Sequence, residues 1–177
     1  MKQYLLNILS ILYPSILCLS LSSGVNAKEI LNPGFQQLKS LVGEWRGKLP
    51  DGNFIDISYQ EINGGAIEER YHSKDPMWWN MSSVYHLDVD KIIMSHYCSW
   101  GNHPRMTAHF YDDQTKQLEF SFIDISMNKP DNGYMSHLTY SFQDENNFTH
   151  LWVWNQGGKK TPLLLTLVRK NSATIGQ

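Results

Sequence analysis

Residues Ser83-Val-Tyr-His-Leu-Asp-Val-Asp-Lys-Ile-Ile-Met-Ser-His-Tyr-Cys-Ser-Trp-Gly-Asn-His-Pro-Arg-Met106 decide the fold. Two β-type runs flank Val89-Asp90, the pattern of antiparallel strands joined by a tight turn. A turn at that point sets register, and register sets faces. Leu87 falls opposite Ile92, Tyr85 opposite Met94, Ser83 opposite His96 and Met81 opposite Cys98. That face is the more apolar one, so it is expected to point inward, carrying His96 and Cys98 two residues apart. His86 falls on the opposite face. An imidazole, a thiol and an arginine in such sequence are costly to bury, so the stretch either builds a site or ties a barrel together.

Working outward, Asn32-Pro33 before Phe35, Leu38 and Leu41-Val42 reads as a capped helix of two or three turns with one apolar stripe. From Gly43 the helical period vanishes. Strands are expected near 43–49, 54–61, 65–73, 80–88, 91–99, 104–111, 116–124, 134–143, 147–155 and 162–170, separated by turn-rich segments such as Asn63-Gly64-Gly65 and Gln156-Gly157-Gly158. The expected fold is therefore mainly β: one antiparallel up-and-down barrel of about ten strands with a short N-terminal helix, closed because closure removes sheet edges.

The same register argument assigns the other faces. A four-residue loop at Asp112–Thr115 would set His109 opposite Leu118, Thr107 opposite Phe120 and Arg105 opposite Phe122, which places Arg105, Thr107 and His109 inside. A turn at Asn63-Gly64 would pair Tyr59 with Glu68 and Ile57 with Arg70, again bringing charge inward. The 134–154 hairpin offers two inner faces: Leu138, Tyr140, Phe142, Leu151 and Val153, or His137, His150, Trp152 and Trp154. A solid core has no need of such a mixture. Either the polar groups pair with one another or the barrel holds water or a ligand.

Residues 1–27 read as a signal peptide: Lys2, a broken apolar run from Leu5 to Leu21, and small residues at Val25-Asn26-Ala27. Asn7, Pro14 and the serines interrupt that run, so removal is expected rather than a membrane anchor, and the chain is expected in the periplasm or outside the cell. The barrel domain is expected over 28–170, with 171–177 a short tail. The formal charge of the whole chain is −2, and losing Lys2 makes it one unit more negative. Such a balance suggests neither a nucleic-acid footprint nor an anionic-membrane patch. Of the two cysteines, Cys18 lies in the leader, so Cys98 would remain without an intrachain partner.

Leu41-Val-Gly-Glu-Trp-Arg-Gly resembles the N-terminal Gly-x-Trp signature of calycin barrels, the superfamily of lipocalins and fatty-acid-binding proteins. Val84-Tyr-His-Leu-Asp, His96-Tyr-Cys, Gly101-Asn-His-Pro-Arg-Met and Gly133-Tyr-Met-Ser-His resemble a group of exported bacterial calycin-like proteins of unassigned activity, over about Phe35 to Arg169. The resemblance implies the barrel and leaves the function open.

Three functions are weighed. The first is a binding barrel for a small apolar or anionic compound, with Arg105 gripping a carboxylate and His96, His109, Tyr85, Thr107 and Cys98 lining the site. Trp78-Trp79 would form an aromatic lid. The plainer alternatives are that Arg105 pairs with an internal carboxylate such as Glu68, and that the tryptophans simply pack. The second is an enzyme or metal site in which His86 or His109 joins His96-x-Cys98, or in which Cys98 is a nucleophile. The third is haem carriage through His137 or His150, by analogy with barrels of similar length. His72 and His103 are expected to be solvated. No cofactor or metal ligand is assigned, and a small molecule is the expected partner.

Overall fold

The computed structural model describes residues 32–49, 51–73, 80–127 and 132–170. Residues 1–27, expected to be a signal peptide, the Trp78-Trp79 pair and residues 171–177 lie outside these. Asn32 caps α1 (Pro33–Ser40), its side-chain Oδ1 accepting from the Phe35 amide at 3.0 Å, and Pro33 occupies the first turn, where no amide donor is needed. The Asn32 amide also donates to the Asp90 carbonyl at 2.7 Å, fastening the helix to the turn identified above.

Among the described residues eleven strands follow: β1 (Gly43–Lys48), β2 (Phe54–Ile62), β3 (Ala66–His72), β4 (Ser82–Asp88), β5 (Lys91–Tyr97), β6 (Asn102–Ala108), β7 (Tyr111–Asp112), β8 (Gln117–Met127), β9 (Tyr134–Asp144), β10 (Asn147–Gln156) and β11 (Lys159–Arg169). Every pairing is antiparallel. β1 lies between β2 and β11, and β6 pairs with β8, which closes ten strands into a barrel. The two-residue β7 continues the line of β6 along β8. The Val89-Asp90 hairpin has the expected register, including Tyr85 opposite Met94 and Ser83 opposite His96.

Phe35 and Leu38 of α1 are buried across one end of the barrel. Gly34 permits this approach, since a Cβ there would stand 2.8 Å from the Leu118 side chain and 3.3 Å from Ile92. Behind the helix the interior is filled by aromatic rings. Trp45 meets Phe148 edge-on at 4.5 Å between centroids and donates its indole N–H to the Leu41 carbonyl at 2.7 Å.

Three faces differ from the expected ones, each through a one-residue change of register. Thr107 pairs with Ser121 while Tyr111 pairs with Leu118, so the β6–β7 side carries one residue more than β8 between the two pairs. A slip of one residue inverts every face. Met106 and Ala108 therefore point inward, Arg105 and His109 are exposed, and Thr107 is only half-buried on the outer side. Asn63–Gly65 forms a three-residue turn rather than a two-residue one, so Tyr59 pairs with Glu69 and Ile57 with Tyr71, leaving Arg70 outside. A bulge between Asn147 and Phe148 combines the two alternatives for the 134–154 hairpin. Leu138 and Tyr140 of β9 share the interior with Phe148, His150 and Trp152 of β10.

Candidate functional site

The strand period of two arranges inward side chains in tiers. At the end opposite α1, Met81, Cys98, Trp100, Met135, Trp154, Gln156, Thr161, Pro162 and Leu163 line a cavity of about 290 Å³. Among the described residues the lining contains no charged side chain. Trp100 and Trp154 stand 5.8 Å apart in an edge contact, and Gly133 lies against the Trp154 indole so closely that a Cβ there would collide with it. Asn102, on β6 beside Cys98, donates to the Gly133 carbonyl at 2.8 Å and so straps the start of β9 to the turn after β5.

One tier below, Ser83 and His96 face each other across β4 and β5, with Ser83 Oγ and His96 Nδ1 3.0 Å apart. His96 is 2% exposed and packs on Trp152 at 5.1 Å and against Tyr71 at 6.4 Å. Burial, with a lesser contribution from His103, lowers its pKa to about 4.

The next tier holds a carboxylate. Glu69 is 0% exposed and accepts from Tyr59 at 2.6 Å and Tyr85 at 2.7 Å. Tyr140 extends the network, 2.6 Å from the Tyr85 hydroxyl. Because the single Tyr59 proton goes to Glu69, the 2.9 Å contact between Tyr59 and His150 is donated by His150 Nε2. His150 Nδ1 is then an unprotonated lone pair, 3.6 Å from Glu69 Oε1 and without a hydrogen-bond partner. Burial raises the Glu69 pKa despite these hydroxyl donors, and lowers that of His150 to about 3. The four tyrosines of the cluster, Tyr59, Tyr71, Tyr85 and Tyr140, are held well above the usual phenol range, chiefly by burial and then by the Glu69 charge. The Glu69 carboxylate of the barrel middle is thus held by tyrosine hydroxyls, away from the cavity.

Among the residues singled out from the sequence, Tyr85, His96 and Cys98 lie inside. Cys98 lines the cavity, His96 lies one tier beneath it and Tyr85 belongs to the carboxylate cluster. Arg105 is on the outer surface, paired through Nε and Nη2 with the carboxylate of Asp124, itself exposed; the Nε contact is 2.7 Å. It has no access to the interior and does not pair with Glu68. Thr107 and His109 line a shallow outer groove instead.

The metal arrangement does not assemble either, since His86 and His109 are exposed on the outside while His96 and Cys98 face inward. Burial raises the Cys98 pKa, which disfavours the thiolate that nucleophilic or ligand chemistry requires. His137 pairs with Glu119 at 3.1 Å on the outer side, and His150 is enclosed by Tyr59, Tyr140 and Phe148. Neither lines the cavity, so neither fits as an axial ligand of a haem bound there.

Sequence reasoning missed Glu69, because the turn length that selects it over Glu68 shows only in the folded hairpin. It also passed over Asn102 and the lining residues Trp100, Met135 and Leu163, whose signal was no more than alternation.

No family model and no curated protein matches the sequence. Among solved structures, the crystal structure of Rv2717c from M. tuberculosis matches with a TM-score of 0.54 and 14% identity, over 80% of this chain and 99% of that one. That likeness shows the fold. Its near-complete coverage of the neighbour places the match over a whole barrel rather than a fragment.

Proposed function

We propose that this protein is an exported, calycin-like binding barrel that holds a small apolar molecule non-covalently at the end opposite α1. The observation that carries the reading is the cavity of about 290 Å³ whose described wall is apolar and uncharged, set above an interior in which Glu69 is held by the Tyr59 and Tyr85 hydroxyls. Apolar concavities of roughly this size are where soluble barrels hold ligands. The features of residues 1–27 support export, and the segments quoted above support the calycin relationship. The anionic alternative loses its main support once Arg105 lies outside.

Titration of the purified protein with a neutral fluorescent probe, N-phenyl-1-naphthylamine, tests the reading. Saturable one-site binding is expected. Leu163→Trp, which fills the cavity, is expected to weaken it by about tenfold or more, equivalent to about 1.4 kcal/mol, with an unchanged circular dichroism spectrum. Non-saturable binding, or binding indifferent to Leu163→Trp, sinks the proposal.

A further inference from the structure

Aromatic rings close the barrel beneath the cavity, and that closure limits the length of molecule the cavity takes. Inward side chains recur every second residue. His96 therefore lies one step below Cys98, and Trp152 one step below Trp154. The two rings meet across the barrel at 5.1 Å. β3 supplies a third ring: the Tyr71 hydroxyl accepts from the Trp152 indole N–H at 3.2 Å, and its ring stands 6.4 Å from His96. Tyr71 is also tied to the cavity wall, its amide donating to the Met81 carbonyl at 3.0 Å. β3, β5 and β10, no two of them neighbours in the sheet, thus send their rings to one point.

None of the three rings lines the cavity, and none of these residues is more than 2% exposed, so the hollow ends above them. A close-packed layer of this kind gives a bound chain no path down the barrel axis. Trp152 is its centre. It touches both other rings, follows Trp154 in the wall by one inward step and pairs with the wall residue Leu163. The space above it, about 290 Å³, is about twice the roughly 150 Å³ of a dry apolar cavity that holds benzene, so it suits roughly a dozen heavy atoms. The side-chain amide and hydroxyl of the described wall, on Gln156 and Thr161, are exposed at its rim, so a polar end faces outward.

We infer that the cavity is blind and takes compact apolar molecules of about ten carbons, with Trp152 as the residue that fixes its depth. A longer molecule leaves its excess at the mouth, where added length contributes nothing to affinity. The inference rests on the binding reading above and narrows its ligand from any small apolar molecule to a short chain or a one- or two-ring body.

Displacement of N-phenyl-1-naphthylamine by 1-alkanols from hexanol to tetradecanol tests it. Affinity is expected to rise about fourfold per added methylene as far as about decanol, and then to level off. Trp152→Leu, which removes most of the indole, is expected to carry the rise on to dodecanol or beyond. An unbroken rise through tetradecanol, a bound probe that no alcohol displaces, or a plateau left in place by Trp152→Leu overturns the inference while leaving a binding barrel intact. Failure of the probe itself to bind overturns both. If Trp152→Leu does not fold, His96→Ala, which removes the ring facing Trp152, takes its place with the same expected result.

Discussion

Two imidazoles buried without charge compensation make this barrel sensitive to acid. The folded-state pKa values of His96 and His150, about 4 and about 3, lie below the ordinary 6.5. The unfolded chain therefore binds protons first, so their stabilisation is fully present above pH 6.5 and is lost as pH falls toward those values. Each histidine contributes a slope of about 1.4 kcal/mol per pH unit inside that window. The raised pKa of Glu69 acts in the opposite sense just above its ordinary 4.5, favouring the fold as pH falls there. Urea unfolding between pH 4 and 7 is expected to show a steep loss of stability toward acid. His150→Phe is expected to flatten that slope by about one proton's worth, and an unchanged slope would place His150 outside the account. Glu69→Leu strands the Tyr59 and Tyr85 hydroxyls and is expected to cost about 3–5 kcal/mol. Glu69→Gln, which preserves shape and one acceptor, is expected to cost less than half of that. Arg105→Met removes only an exposed ion pair, so its effect on stability is expected to stay below about 1 kcal/mol, with probe binding unchanged.

Turns, more than strands, divide what was legible from what was not. Val89 sits at φ 61°, a backbone region hostile to β-branched residues, yet the tight turn there gives the expected register because strong alternation on both sides enforces it. Relief of that conformation is expected to make Val89→Gly more stable by about 0.5–1 kcal/mol, net of the added chain entropy of glycine; a lower melting temperature would refute this. Asn63–Gly65 and the 109–116 connection behave differently. Glu68 and Glu69, or Arg105 and Met106, offer the hairpin two registers of similar local quality, and no neighbouring residue in the sequence distinguishes them. The choice falls to packing across the barrel, where Glu69 finds the hydroxyls of Tyr59 and Tyr85, and Met106 and Ala108 find the core.

At the scale of the molecule, closure joins residues remote in sequence. Arg169, near the end of β11, donates to the carbonyls of Glu145, Val42 and Ser40 and stacks 4.2 Å over Trp45. It ties the last strand to the end of α1 and to the β9–β10 turn. Arg169→Met keeps the aliphatic stem but loses three charge-assisted bonds, and it is expected to lower unfolding stability by about 2–3 kcal/mol in urea titration. Alternation and turn residues alone determined a ten-strand antiparallel barrel, its capped helix, and the inward course of Tyr85, His96 and Cys98, because those signals are local and repeat along each strand. Only the tertiary structure decided that Arg105 points outward, that Glu69 rather than Glu68 is buried, and that an apolar cavity lies beside Cys98. Those outcomes depend on single-residue register and on side chains meeting across the barrel, where free energy is summed over many strands at once.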